Sequence, residues 1–177
     1  MRQKLTLAAF GVATLTGFTP ALANDNAGFW YVEGGYHYAA FNDDDVDSPT
    51  LGLVGGNVGY EFANGWGVEG VVAQGVVDDE VVISGFDVTI EAKTWWGAAV
   101  KYQHHFDNAA TVYAKLRYTS IELEASALGA SADASEWRAG YAIGGTMAMT
   151  ESSYVVAELN QFTDKNIGFF VGLGARF

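Results

Sequence analysis

Alternation constrains this chain more than any other feature. Between Phe29 and the C-terminal Phe177, apolar and polar residues alternate with period two in eight segments. That is the spacing of a strand with one apolar face, not of a helix. The segments are 30–38, 54–62, 66–74, 96–106, 112–119, 137–149, 155–161 and 167–177. In the first, Trp30, Val32, Gly34, Tyr36 and Tyr38 share a face opposite Glu33, Gly35 and His37. In the fifth, Val112, Ala114, Leu116 and Tyr118 oppose Lys115, Arg117 and Thr119. Composition agrees with strands: Gly accounts for 22 of 177 residues, aromatics for 14%, and Pro for only 2.

The connections alternate as well. Residues 63–65, 107–110 and 150–153 are short links. Residues 41–49, 76–87 and 122–134 are long ones, and 163–166 is a short fourth member of the long set. Within 76–87, the run Val81-Val82-Ile83 predicts that strand continues past the wall of the fold. Each segment has roughly the 9–11 residues that a tilted strand needs to cross a bilayer.

The charges say which face is inside. Glu33, Glu61, Glu69, Glu91, Glu136 and Glu158 share the polar face with Lys93, Lys101, Lys115, Arg117, Arg138 and Arg176, while Lys165 falls in a loop. Equal numbers of acids and bases suit a narrow interior, where an unpaired charge is costly. Leu51, Leu53, Val71, Trp95 and Phe170 lie on that face too. An eight-stranded barrel is expected to fill its interior with side chains, so apolar fillers belong there. The opposite face carries Trp30, Trp66, Trp96 and Trp137 near strand ends, where an aromatic girdle meets lipid headgroups. A soluble barrel would reverse this polarity, with apolar residues in and charges out. The loop-length asymmetry and the C-terminal strand weigh against it.

The N-terminus carries an address. Arg2 and Lys4 precede an apolar stretch from Leu5 to Phe18, and Ala21-Leu22-Ala23 reads as a cleavage site. Residues 1–23 are therefore expected to be a secretory signal peptide and 24–177 the barrel domain. No later run reaches the ~18–20 apolar residues of a membrane helix. The formal net charge of −12 excludes most nucleic-acid binders, which need a basic face against phosphate. The chain has no Cys, so disulfides and thiolate metal sites are excluded. The acid excess collects in the links, including Asp43, Asp44, Asp45, Asp47, Asp78, Asp79, Glu80 and Asp87.

Catalytic signals are sparse. His104 and His105 are adjacent on one strand and so point to opposite faces, which suits a shared metal badly. His37 with Ser48 and Asp47 offers the residue types of a lipid-modifying triad, but no nucleophile motif accompanies them. His37 is expected to be a satisfied interior histidine near Glu33. The Asp43–Asp47 run fails as an EF-hand loop, because Ser48 and Val54 stand where Gly and Glu are required. It leaves room for a loose divalent-ion site bridging acidic loops to lipopolysaccharide phosphates. No cofactor, catalytic residue or firm metal site is expected.

The final residues, Phe169-Phe170-Val171-Gly172-Leu173-Gly174-Ala175-Arg176-Phe177, resemble the assembly signal of outer-membrane barrels, in which a terminal Phe closes an alternating last strand. Asn57-Val58-Gly59-Tyr60-Glu61-Phe62 followed by Trp66-Gly67-Val68-Glu69 resembles a hairpin of the small OmpA-like and opacity-type barrel families. So do Val100-Lys101-Tyr102 with Val112-Tyr113-Ala114-Lys115-Leu116, and Val156-Ala157-Glu158. The resemblance covers nearly all of residues 27–177. It implies an all-β, eight-stranded antiparallel transmembrane β-barrel, wound as an up-and-down meander with both termini in the periplasm. The implied partners are outer-membrane lipids, including lipopolysaccharide, and the assembly machinery acting through Phe177; a monomer is expected. These families include adhesins and membrane-stability proteins, so the implied role is structural or surface-interacting and non-enzymatic. A narrow solute channel is the alternative, and a lipid-modifying enzyme resting on His37 is a third reading. Unlike OmpA, no peptidoglycan-binding domain follows the last strand, so that anchoring role is not implied.

Overall fold

The computed structural model describes residues 28–40, 50–83, 86–106, 109–127, 130–163 and 166–177. The segment read as a signal, the acidic run Asp43–Asp47 and Ser48 lie outside the described residues, as does Lys165.

Nine strands follow one another: β1 (Phe29–Ala40), β2 (Thr50–Glu61), β3 (Trp66–Val77), β4 (Asp79–Ile83), β5 (Phe86–Phe106), β6 (Ala110–Ala127), β7 (Ala130–Ala148), β8 (Ser153–Thr163) and β9 (Asn166–Arg176). All pairings are antiparallel between sequence neighbours, except that β1 pairs β9 and β3 pairs β5. Those two pairings close the sheet on itself. Because β4 pairs only with the first residues of β5, the closed wall has eight strands in a meander. At the seam, the Trp30 and Phe177 backbones exchange hydrogen bonds of 3.0 and 2.9 Å.

Alternation becomes geometry here. The outward residues Val58, Val68, Val100, Leu116, Ile143, Leu159 and Leu173 are exposed, whereas Glu33, Glu69, Lys101, Lys115, Arg117 and Glu158 are buried. The exterior is apolar and the interior charged. Aromatic rings form two belts on this exterior. Near the short turns, Trp30, Tyr60 and Phe62 pack in sequence and Trp66 meets Tyr102. Toward the other end, Trp137 stacks on Tyr118 and meets Trp96 edge-on. Along β5 the belts span Phe106 to Trp96, which is roughly 25 Å of tilted strand, the height of a bilayer's apolar band.

Inside, three tyrosines lie across three glycines of the neighbouring strand: Tyr31 over Gly59, Tyr113 over Gly144 and Tyr154 over Gly174. A Cβ at any of these glycines would enter the ring. Gly provides the space and the aromatic ring covers the backbone that Gly leaves bare. Gly59→Val is expected to cost about 1–3 kcal/mol of stability through overpacking. Gly34→Val, on the outer face with open space at its Cβ, is the control. Equal midpoints in urea unfolding would contradict this packing.

Two of the long links are not loops. Residues 76–87 contain β4 and the start of β5, and 122–134 contain the end of β6 and the start of β7. The sequence carried the cause: Val81, Val82, Ile83, Val88 and Ile90 are β-branched, and Ile121 and Leu123 keep the alternation going. The result is a sheet of β4, β5, β6 and β7 standing about ten residues of strand beyond the Trp96 belt. In β7, only Tyr141–Ala148 pairs with β8, so among the described residues 130–140 has no strand partner on that side.

One carboxylate fastens the β4 hairpin to the barrel rim. Asp79 Oδ2 accepts hydrogen bonds from the Thr50 backbone N–H (2.8 Å) and hydroxyl (3.0 Å), and Oδ1 accepts from the Glu80 N–H (2.9 Å). These bonds, the Thr50 N–H first, hold the Asp79 carboxyl below its ordinary range. A lowered folded-state pKa stabilises above the unfolded value and is lost as pH falls through the folded one. The Thr50 amide NMR shift is therefore expected to stay constant from neutral pH to about 4, the ordinary Asp value, and to move below it. A shift already moving near pH 6 would contradict this latch.

Candidate functional site

The candidate site is the barrel interior, where period two delivers the charges. Lys115 of β6 lies at its centre, its side chain fully buried. Its Nζ donates to Glu69 Oε1 of β3 at 2.8 Å and stands 2.7 Å from Glu158 Oε2 of β8. Arg117, two residues further along the same strand, pairs with Glu158 Oε1. Glu69 also accepts from the Tyr31 hydroxyl at 2.8 Å. Glu33 accepts from the Asn57 amide (2.8 Å) and the Tyr154 hydroxyl (3.0 Å). Lys101 has an aromatic neighbour instead, its Nζ lying 3.9 Å from the Tyr31 ring centroid. At the centre, Lys101, Lys115 and Arg117 thus face Glu33, Glu69 and Glu158, and a fourth buried carboxylate, Glu61, lies toward the short turns beside His105. Neutrality with charge-assisted hydrogen bonds is the condition for burying ions.

The other predicted interior charges are elsewhere. Near the short turns, Glu61 Oε1 lies 2.7 Å from His105 Nε2, whose Nδ1 is 2.9 Å from the Thr111 hydroxyl. The Arg176 guanidinium lies over the rings of Tyr154 (5.2 Å) and Phe29 (5.6 Å). At the opposite rim, Glu136 pairs with Arg138, both half-open to solvent. Glu91 and Lys93 are outside the barrel proper. The register shifts between Ala92 and Thr94. Lys93 then meets Glu91 at 3.0 Å and Glu124 at 2.9 Å on the protruding sheet. The carboxylates of Glu124 and Glu91 push its ammonium up to about 12. A single twelve-charge network is therefore corrected to a central buried group of six, a buried Glu61 beside His105, and peripheral pairs. At that register shift the pairing passes from Thr94–Glu122 to Ala92–Leu123 and Glu91–Glu124, so Ala92 takes the inward, buried face and Glu91 joins Glu124 on the outward one.

His37 is also corrected. It is buried, but Glu33 is not its partner: four residues along a strand is about 13 Å, and Asn57 and Tyr154 occupy Glu33. The His37 ring stacks on Phe170 (centroids 4.2 Å) and meets Trp95 edge-on (4.7 Å), with neither ring nitrogen hydrogen-bonded among the described residues. His37→Phe keeps this stacking and removes two unsatisfied polar atoms. It is expected to leave stability unchanged or raise it by about 1–3 kcal/mol, read as the urea unfolding midpoint. A lower midpoint would reveal a hydrogen bond to His37 that this geometry lacks.

Tyr31, Asn57, Tyr113 and Tyr154 belong to the interior and were not singled out from the sequence. Their parity held the signal, since Tyr31 is two residues from Glu33 and Tyr113 two from Lys115. Among the described residues, no three His, Cys, Asp or Glu side chains converge to hold a metal. His104 points outward against Phe106.

The outer membrane protein beta-barrel domain family matches residues 6–177. The chain belongs to that family. It is accordingly an outer-membrane protein. Ail of Yersinia pestis is similar, at 21% identity over 85% of this chain and 99% of Ail, with a TM-score of 0.59. OprG of Pseudomonas aeruginosa shows 16% identity over 86% and 97%, with a TM-score of 0.67. Neisserial surface protein A shows 14% over 83% and 95%, with a TM-score of 0.57. At these identities the likeness is one of fold. None of the curated proteins compared with the chain matches it.

Proposed function

We propose that the barrel is a closed, non-enzymatic anchor that presents an acidic, strand-extended sheet to the environment. One observation carries this reading: Lys115, bridged to Glu69 and Glu158, fills the interior at mid-height with side chains that have no solvent contact. Above the rim, Asp78, Glu80, Asp87, Glu122, Asp133 and Glu136 are exposed, and the cations there, Lys93 and Arg138, are already paired. Refolded protein in a planar bilayer should give no steady conductance. Reproducible openings altered by Lys115→Ala would favour the narrow channel instead, for which an interior lined by ionisable groups is the supporting feature.

The partners follow from the same charges. The outer belt sits in lipid, and lipopolysaccharide phosphates meet an acidic sheet, so contact between them runs through divalent cations. Ail has been crystallised with the heparin analogue sucrose octasulfate. This chain's exposed acids repel such a polysulfate, and we expect no retention on heparin in the presence of a chelator. The assembly machinery is engaged through the last strand, where Phe177 pairs with Trp30 at the seam. Deleting Phe177 should reduce the heat-modifiable, folded band in outer-membrane fractions.

A further inference from the structure

Beneath the protruding sheet, the outward faces of β5, β6 and β7 set Trp96, Ser120 and Trp137 side by side in register. Ser120 is buried, and the two indoles that flank it meet at 79° with centroids 4.7 Å apart. Tyr118 stacks on Trp137 at 5.0 Å. Each of the three rings is still about half exposed. The next row on the same face is Thr94, Glu122 and Ser135, again in register. Glu122 therefore stands one strand repeat, about 7 Å, beyond the rings and in line with Ser120. Its carboxylate is exposed and has no hydrogen-bond or ion-pair partner among the described residues. The nearby cations are taken: Lys93 lies between Glu91 and Glu124, and Arg138 pairs with Glu136. An aromatic corner alone is what a bilayer interface calls for. An unneutralised carboxylate in line with it is not. The other belt gives the contrast, since Trp66 meets Tyr102 there and no acid lies on the outward face of β3 or of β5 from Trp96 to Phe106.

We propose that the corner formed by Trp96, Trp137 and Glu122 binds the ammonium group of a zwitterionic lipid headgroup in the adjacent leaflet. The ammonium donates to the Glu122 carboxylate and rests on the indole faces, whose quadrupole attracts a cation. The lipid chains lie along the apolar wall below. A headgroup whose only charge is a phosphate is repelled by Glu122 and its acidic neighbours, so the ammonium is the group that is held. The proposal rests on the reading of the outer wall as lipid-facing.

The test places protein labelled with 5-fluorotryptophan in phosphatidylglycerol nanodiscs. A rising share of the lipid is replaced by phosphatidylethanolamine, or by its N-acetylated form, which has no charge on nitrogen. Trp96→Phe and Trp137→Phe assign the two signals, and the other three Trp→Phe variants assign them by elimination if either fails to assemble. Phosphatidylethanolamine should shift Trp96 and Trp137 saturably while Trp30 and Trp66 stay still, and the N-acetylated lipid should shift none of them. Glu122→Gln should weaken the response about tenfold, the worth of one charge-assisted hydrogen bond. Equal shifts with both lipids, or at both belts, would mean headgroup anchoring alone and would overturn the site, as would an unchanged response in Glu122→Gln. Shifts reproduced by soluble phosphoethanolamine would assign the corner to a free amine and overturn the lipid source. A lipid with a nitroxide headgroup checks the wall separately, because it should broaden the four outward tryptophans and spare Trp95. If it did not, the lipid-facing reading would fall and the proposal with it. If it did, and Trp96 and Trp137 ignored the ammonium, the proposal alone would fall.

Discussion

Lys115→Met should lower the unfolding free energy by about 3–5 kcal/mol, the cost of breaking a buried ion pair from one side. Methionine has nearly the length of lysine and fits the same space. What disappears is the charge that Glu69 and Glu158 share, at 2.8 and 2.7 Å. Glu158 keeps Arg117 and Glu69 keeps only the Tyr31 hydroxyl. The uncompensated carboxylate is therefore chiefly Glu69. Lys115→Met combined with Glu69→Gln should recover much of the loss, giving a coupling energy in a double-mutant cycle. Urea unfolding of protein refolded into lipid measures both. Single and double variants that are equally destabilised would show that Lys115 matters for shape and not for charge.

Phe170→Ala should cost a similar ~3–5 kcal/mol, here as transfer and cavity energy. Phe170 has no exposure, stacks on His37 and lies against the backbones of Gly35 and Gly172. Neither glycine has a side chain that can move in to fill the gap. Its neighbour Phe169 faces outward, 38% exposed, stacked on Tyr38. Phe169→Ala leaves lipid to close over the deletion and should cost distinctly less. The adjacent pair thus tests the facing of β9 directly. If Phe169→Ala were the costlier, the strand would be turned the other way.

Period two is local and geometric: successive side chains leave a strand on opposite faces, so the order of residues alone places Glu33, Lys115 and Glu158 together and Trp30, Leu116 and Leu173 opposite them. The short link at 63–65 was legible on other grounds, since Asn64-Gly65 is a turn pair and Gly65 takes the positive φ of a tight hairpin link. Face, strand number, closure into a membrane barrel and the charge of the interior were thus written in the chain itself. Partners were not. Glu69 and Lys115 are 46 positions apart, and which carboxylate reaches which ammonium depends on how eight tilted strands are staggered when the wall closes. The same stagger put Glu33 with Asn57 and Tyr154, and left His37 with Phe170 and Trp95. Only the tertiary structure could also show where the barrel stops. Alternation read from the residue order runs on through β5 past Lys93, but a bulge between Ala92 and Thr94 exchanges the two faces there. The one-residue bulge at Lys93 therefore moved Ala92 and Ile90 to the inward side, against Leu51 and Leu53, and left Glu91 and Lys93 outside with Glu124.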